Sequence, residues 1–190
     1  MTTAQRIYQL LENESLWEVA SRCHSLFEKS SIAHSICGGV AVCLHGYLRN
    51  TTDVDYIINR DDSEQVKQLL LSEGFEWNEQ EKEFRNPSGI AIQFLLSGEK
   101  AGKGAEVLIP EPTGEFNVEV REGLSVVKLS RLIEMKLASG LGNMRRTHKD
   151  FADVVELIAI RNLDSMFARY LHKSLQSTFR ELVHRVRDES

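Results

Sequence analysis

The stretch Cys37-Gly38-Gly39-Val40-Ala41-Val42-Cys43-Leu44-His45-Gly46, followed by Asp53-Val54-Asp55-Tyr56-Ile57-Ile58, decides how the chain is read. Apolar density rises from Ser35 and is interrupted by the Gly38-Gly39 pair. A short strand ending near Cys37 is therefore expected to turn into a helix through Val40, Val42, Cys43 and Leu44. Residues 53–58 are expected to form a strand, and side chains on a strand repeat every second residue, so Asp53 and Asp55 share one face. Two carboxylates placed this way converge on one hard cation, and Mg²⁺ held by carboxylates and phosphate oxygens recurs in phosphate transfer. A Gly-Gly turn that opens a helix lets a polyphosphate come close to the backbone, where the helix start adds donors and partial positive charge.

On the N-terminal side, Ile7, Leu10 and Leu11 form a short amphipathic pattern, and Ser15-Leu16-Trp17-Glu18 reads as a capping box before Val19, Cys23 and Phe27. Beyond the central stretch, Asp62 is expected to cap a helix with Val66, Leu69 and Leu70 inside and Gly74 at its stop. Short strands are expected at Phe75 to Trp77 and Glu83 to Arg85, and a stronger one from Gly89 to Leu96. Gly98 to Gly104 lacks the spacing of a phosphate loop and reads as a mobile surface loop. Leu124 to Leu129 is extended and leads into a helix from Ser130 to about Ser139. Phe151, Val154, Val155 and Ile158 mark another helix, and a last one near Asp164 to Arg187 carries Leu171, Leu175, Phe179, Leu182 and Val186. Strands and helices mixed first and helices alone afterwards point to an α/β (α+β) class, a mixed sheet flanked by helices with a C-terminal helical layer. The expected segments are N-terminal helices over 1–30, an α/β core over 31–129, and a helical region over 130–190 packed on that core.

The chain has 190 residues, of which 42% are apolar and 27% charged, with 12 Gly and 3 Pro, which excludes collagen-like, mucin-like and broadly disordered classes. A net charge of −5 rules out bulk attraction to nucleic acid or anionic lipid as the main driving force. Residues 1–120 carry 10 basic and 19 acidic side chains, residues 121–190 carry 13 and 9. Such halves suit a cleft with a metal on one wall and phosphates on the other. Cys23, Cys37 and Cys43 are odd in number and form no CxxC pair, as expected of reduced core thiols. Neither a secretory leader nor an apolar run of membrane-spanning length is legible, so a cytoplasmic protein is expected.

The Gly38-Gly39 pair followed after thirteen residues by Asp53-Val54-Asp55 resembles the nucleotidyltransferase superfamily. His45-Gly46, Arg49 and Thr51-Thr52, with Lys136, Ser139, Arg145, Lys149-Asp150 and Asp153-Val154 in the second half, look like small members related to abortive-infection toxins. The resemblance spans most of residues 35–160. It implies a nucleotidyltransferase-like core that moves a nucleoside monophosphate from an NTP such as ATP to an acceptor hydroxyl, on RNA, protein or a small molecule. It assigns Mg²⁺ or Mn²⁺ to Asp53 and Asp55, which are also the catalytic pair, and the nucleotide to Gly38, Gly39, Arg49, Thr52, Lys136 and Lys149. Arg145 is a further candidate for gripping phosphates, Arg146 reads as a surface charge, and His45 reads as a structural hydrogen-bonding group. Active members carry a third carboxylate on a later strand, where this chain has Gln93. A neutral amide coordinates through oxygen but is no base. Either Glu83, Glu99 or Glu119 supplies the missing charge, or the chain is a catalytically impaired nucleotide-binding or protein-interaction module, toxin- or antitoxin-like. The terminal amphipathic helix offers a seam for core packing or a homodimer, and the mixed charges of its polar face argue against a membrane helix.

Overall fold

The computed structural model describes residues 14–188. The pattern at Ile7, Leu10 and Leu11 and the side chain of Ser15 lie outside the described residues. The elements in chain order are α1 (Glu14–Lys29), β1 (His34–Cys37), α2 (Gly38–Leu44), β2 (Asp53–Ile58), α3 (Ser63–Ser72), β3 (Glu76–Asn78), β4 (Glu83–Arg85), β5 (Ala91–Leu96), β6 (Val118–Arg121), β7 (Leu124–Val127), α4 (Leu129–Gly142), α5 (Met144–Ile160) and α6 (Gln176–Asp188). Seven strands among the described residues make one mixed sheet in the order β3-β4-β5-β2-β1-β7-β6.

The middle strand, β2, runs antiparallel to β1 and parallel to β5. Its register is held from both sides, Cys37 opposite Asp55 on one edge and Gln93 opposite Asp55 on the other. Alternation along β2 then separates two environments. Tyr56 faces α1, whose Leu16, Ala20, Cys23 and Phe27 form a buried stripe. The Tyr56 hydroxyl donates to the Ala20 carbonyl at 2.7 Å, and its ring meets Phe27 edge-on with centroids 5.3 Å apart. Asp53 and Asp55 take the opposite face, and Asp55 lies across a cleft from Leu132, Met135 and Lys136 of α4.

Several elements differ from the sequence expectation. The expected helix from Asp164 to Arg187 is broken into 3₁₀ turns at Ser165–Tyr170 and Lys173–Leu175, followed by α6. Leu171 is extended, and the His172 amide donates to the buried carboxylate of Glu134 on α4, which pins the junction out of helical register. Asp62 precedes α3, but its carboxylate accepts from Asn59 Nδ2 at 3.1 Å and caps no helix amide. Gly98 to Gly104 is not a free loop. Ala101 N donates to Val107 O at 2.9 Å and Ile109 N to Glu99 O at 2.7 Å, while Val107 and Ile109 are buried. Strand β6 was not among the expected elements, and the strand expected at Phe75 begins at Glu76 because Phe75 turns into the core.

Tyr56→Phe removes one hydroxyl and leaves the ring packing in place. Denaturant unfolding should show a loss of about 1 kcal/mol with an unchanged slope.

Candidate functional site

The turn between β1 and α2 is shaped by close approach. Gly38 has φ +60, and a Cβ there would lie 1.7 Å from Asp55 Oδ2, so glycine is required both by backbone conformation and by the carboxylate beside it. A Cβ on Gly39 would stand 2.3 Å from Thr51 Oγ1. The space opened by the two glycines is thus taken first by the chain's own Asp55 and Thr51. Thr51 in turn donates to Asp53 Oδ1 at 2.9 Å, which orients the first carboxylate of the pair.

Arg49 fastens the loop that leads into β2. Its guanidinium grips Asp153 on α5 through two bonds of 2.6 and 3.0 Å, and a third N–H donates to Asn50 O at 2.9 Å. Asp153 also accepts from Lys136 Nζ at 2.7 Å, Lys136 reaches Asp150 at 2.9 Å, and Asp150 lies 3.5 Å from Arg146. Three cations and two buried carboxylates therefore form a continuous web across α4 and α5. Its surplus is positive, and it stands opposite the carboxylates of β2.

Between these walls lies a cleft of about 260 Å³ lined by Gly38, Asp55, Gln93, Lys136, Arg146 and Asp150 among others. Burial and the neighbouring Asp53 raise the Asp55 carboxyl to about 6, and Lys136, Arg146 and Lys149 act against that rise. Asp55 from the first half of the chain thus faces basic groups from the second, and Asp53, which does not line the cleft, stands next to it on the same strand face. The Cys37 thiol beside them is pushed well above its usual range by burial and by Asp55, so it stays protonated.

Gln93 sits in register beside Asp55, and its amide N–H donates to Glu83 Oε2 at 2.9 Å. Phe84 pairs with Ile92, so the next step of that antiparallel ladder sets Glu83 opposite Gln93. Cys37, Asp55, Gln93 and Glu83 form one row across four strands. Glu83 is buried and ion-paired with Arg85. The other two glutamates lie elsewhere, Glu99 paired with Arg60, and Glu119 with Arg121 and 3.8 Å from His45. His45 is buried, its Nε2–H donates to Val127 O at 2.8 Å, and burial lowers its pKa to about 4. Thr52, Arg145 and Lys149 are exposed, and of these Lys149 acts electrostatically on Asp55.

Solved structures share this architecture. An antigenic nucleotidyltransferase-like protein from Paracoccidioides brasiliensis matches with a TM-score of 0.50 at 20% identity, covering 75% of this chain and 75% of that chain. The antibiotic-resistance factor ANT(2'')-Ia, known from a solution structure, matches with a TM-score of 0.53 at 10% identity, covering 88% of this chain and 95% of that chain. The chain has a nucleotidyltransferase-like fold. No protein-family model matches the sequence, and no curated protein is significantly similar to it.

Within the nucleotidyltransferase-like fold, what the sequence did not report is how the charged residues of the second half pair with one another. Arg146 is exposed, as expected of a surface charge, and at the edge of the cleft it also pairs with Asp150, as an i, i+4 spacing on α5 allows. The partners of Lys136, Asp150 and Asp153, lie on the next helix, a contact that no local spacing reports.

The raised Asp55 pKa has a thermodynamic consequence. A carboxyl with a folded pKa above its unfolded value favours folding when protonated, and that contribution is lost as pH rises from 3.8 through about 6. Asp55→Asn should therefore make the metal-free protein more stable than wild type at pH 7.5, by roughly 1–3 kcal/mol. The difference should vanish near pH 4 in denaturation curves measured across that range.

Proposed function

We propose that the cleft binds a nucleoside triphosphate with Mg²⁺ or Mn²⁺ and transfers the nucleoside monophosphate to an acceptor hydroxyl. The observation that carries this reading is the placement of Asp53 and Asp55 on one face of β2, beside the Gly38 turn and opposite a wall with surplus positive charge. The donor set fits a hard divalent cation: two carboxylate side chains repeat on one strand face, and Asp55 is reluctant to ionise without a countercharge. When bound, such an ion neutralises phosphate charge and acidifies the attacking hydroxyl.

The remaining work falls to the chain. Asp53, oriented by Thr51, and Asp55, seated against Gly38, hold the ion-binding face in place. Gly38, on the lining of the cleft, presents its backbone to the triphosphate at the start of α2, and Gly39 behind it makes room for Thr51. Arg146 and Lys149 attract the phosphate oxygens from the opposite wall, and Lys136, held by Asp150 and Asp153, sets the field there. Arg49, held by Asp153 and the Asn50 carbonyl, fixes the loop that leads into β2, and exposed Thr52 on that loop offers its hydroxyl to the nucleotide. The acceptor hydroxyl releases its proton to solvent water, its oxygen bonds the α-phosphorus, and the bond to pyrophosphate breaks, so that pyrophosphate leaves. Gln93 donates its N–H to Glu83, so its carbonyl oxygen is the atom left to face a cation, and Glu83 supplies negative charge behind it.

A second reading, nucleotide binding without turnover, is favoured by one observation: the residue in register with Asp55 is an amide. Incubation with α-labelled NTPs and Mg²⁺ or Mn²⁺, across RNA, protein and small-molecule acceptors, separates the two. Transfer by the wild type, lost in Asp53→Asn/Asp55→Asn and lowered at least about tenfold in Glu83→Gln, is the expected result. Saturable nucleotide binding without transfer selects the second reading, and absence of both binding and transfer removes the proposal.

A further inference from the structure

A separate cluster of ligating groups lies on the α1 face of the sheet, away from the carboxylate pair. His24 and Glu28 are one helical turn apart on α1 and so face the same way, and His34 opens β1. One ligand atom from each of the three lies within 4.8 Å of the others. The juxtaposition is fixed by how α1 ends. Ile32 N donates back to Phe27 O at 2.9 Å and Ser31 N to Glu28 O at 3.1 Å, with Ser31 in the left-handed region at φ 54. That closed turn brings His34 back over the last turns of the helix.

The His34 ring is already oriented as a ligand. A carbonyl can only accept, so the 2.8 Å contact with Ile32 O places a proton on His34 Nδ1 and leaves the lone pair on Nε2. Without a metal that lone pair accepts from His24 Nδ1–H, 2.7 Å away, and His24 must carry its proton on Nε2 instead before both facing nitrogens can ligate. Metal-bound imidazoles are held in the same manner, one ring nitrogen donating to a carbonyl and the other ligating. The ring is 3% exposed and is wedged by Phe27 and Tyr56, with centroids 5.2 and 6.0 Å away. Tetrahedral zinc with bonds of about 2.0–2.1 Å to nitrogen separates its ligand atoms by roughly 3.3 Å, so the two imidazoles, now 2.7 Å apart at their facing nitrogens, must part slightly to admit it. The half-buried His24 and exposed Glu28 can make that small adjustment from the solvent side.

We infer that His24, Glu28 and His34 form a site for a divalent cation of the zinc class, distinct from the Asp53/Asp55 face. Two imidazoles and one carboxylate suit Zn²⁺ and not Mg²⁺, which prefers oxygen ligands. Because Glu28 is exposed, the fourth position is open to water. The ion clips the end of α1 to the start of β1.

Calorimetric titration with ZnSO₄ and with MgCl₂ tests the assignment. Saturable one-to-one Zn²⁺ binding is expected in the wild type and in Asp53→Asn/Asp55→Asn, with Mg²⁺ giving no heat in the double variant. His24→Ala and Glu28→Gln lie on the solvent side and should fold. His24→Ala, which removes a ligand, should weaken Zn²⁺ by more than the roughly 10- to 100-fold that loss of an outer partner costs. Glu28→Gln should weaken it in the same direction. Co²⁺ bound in place of Zn²⁺ should show visible ligand-field bands and no sulfur charge-transfer band, since no cysteine belongs to the cluster. Zn²⁺ affinity left unchanged in His24→Ala, lost in the aspartate double variant, or absent from the wild type overturns the proposal.

Discussion

Asp55 Oδ2 lies 1.7 Å from the place where a Cβ of residue 38 would stand, and Gly38 has φ +60. A side chain at position 38 would have to displace either the turn or the carboxylate. The end of β1, the start of α2 and the middle strand β2 are therefore locked to one another at a single point. Register pairs on both sides of Asp55 hold that point in the centre of the sheet, where a one-residue slip would send the carboxylates into the Tyr56 and Phe27 core. Thr51 against Gly39 extends the same lock toward Asp53.

Facing this lock is a web of buried charge. Asp150 and Asp153 are almost wholly withdrawn from water, and Lys136 is 6% exposed. Withdrawing charges this far costs solvation that their mutual attraction offsets only with good geometry, so an apolar replacement would fold as well or better. What the web does supply is placement. It ties the loop at Arg49 to α4 and α5, and it leaves positive charge in excess on the wall opposite Asp53 and Asp55. The opposed charges of the two halves of the chain meet in this cleft.

How much of this was legible in the sequence follows from the range of each interaction. The Gly38-Gly39 break and the shared face of Asp53 and Asp55 are local, set by backbone conformation and a period of two, and they could be read directly. The partnership of Gln93 with Glu83 joins β4 to β5 across a turn and needed the pairing register, although the strands themselves were expected. The web around Lys136 joins two helices. The broken helix after Asp164 had a continuous apolar stripe, but a buried carboxylate 38 residues earlier captured the His172 amide, and tertiary bonding overrode local periodicity. Strand β6 does alternate, as Phe116-Asn117-Val118-Glu119-Val120-Arg121, but it is an edge strand with Phe116 and Val120 exposed, and the period of two there was not taken up in reading the sequence.

The central claim, that Asp53 and Asp55 form the cation-binding face of a nucleotide cleft, is tested most directly by Mn²⁺ binding followed by electron paramagnetic resonance with and without NTP. The account predicts Mn²⁺ binding that tightens when nucleotide is present, is lost in Asp53→Asn/Asp55→Asn, and persists in His24→Ala. Mn²⁺ and nucleotide binding left unchanged by the aspartate double variant would contradict it.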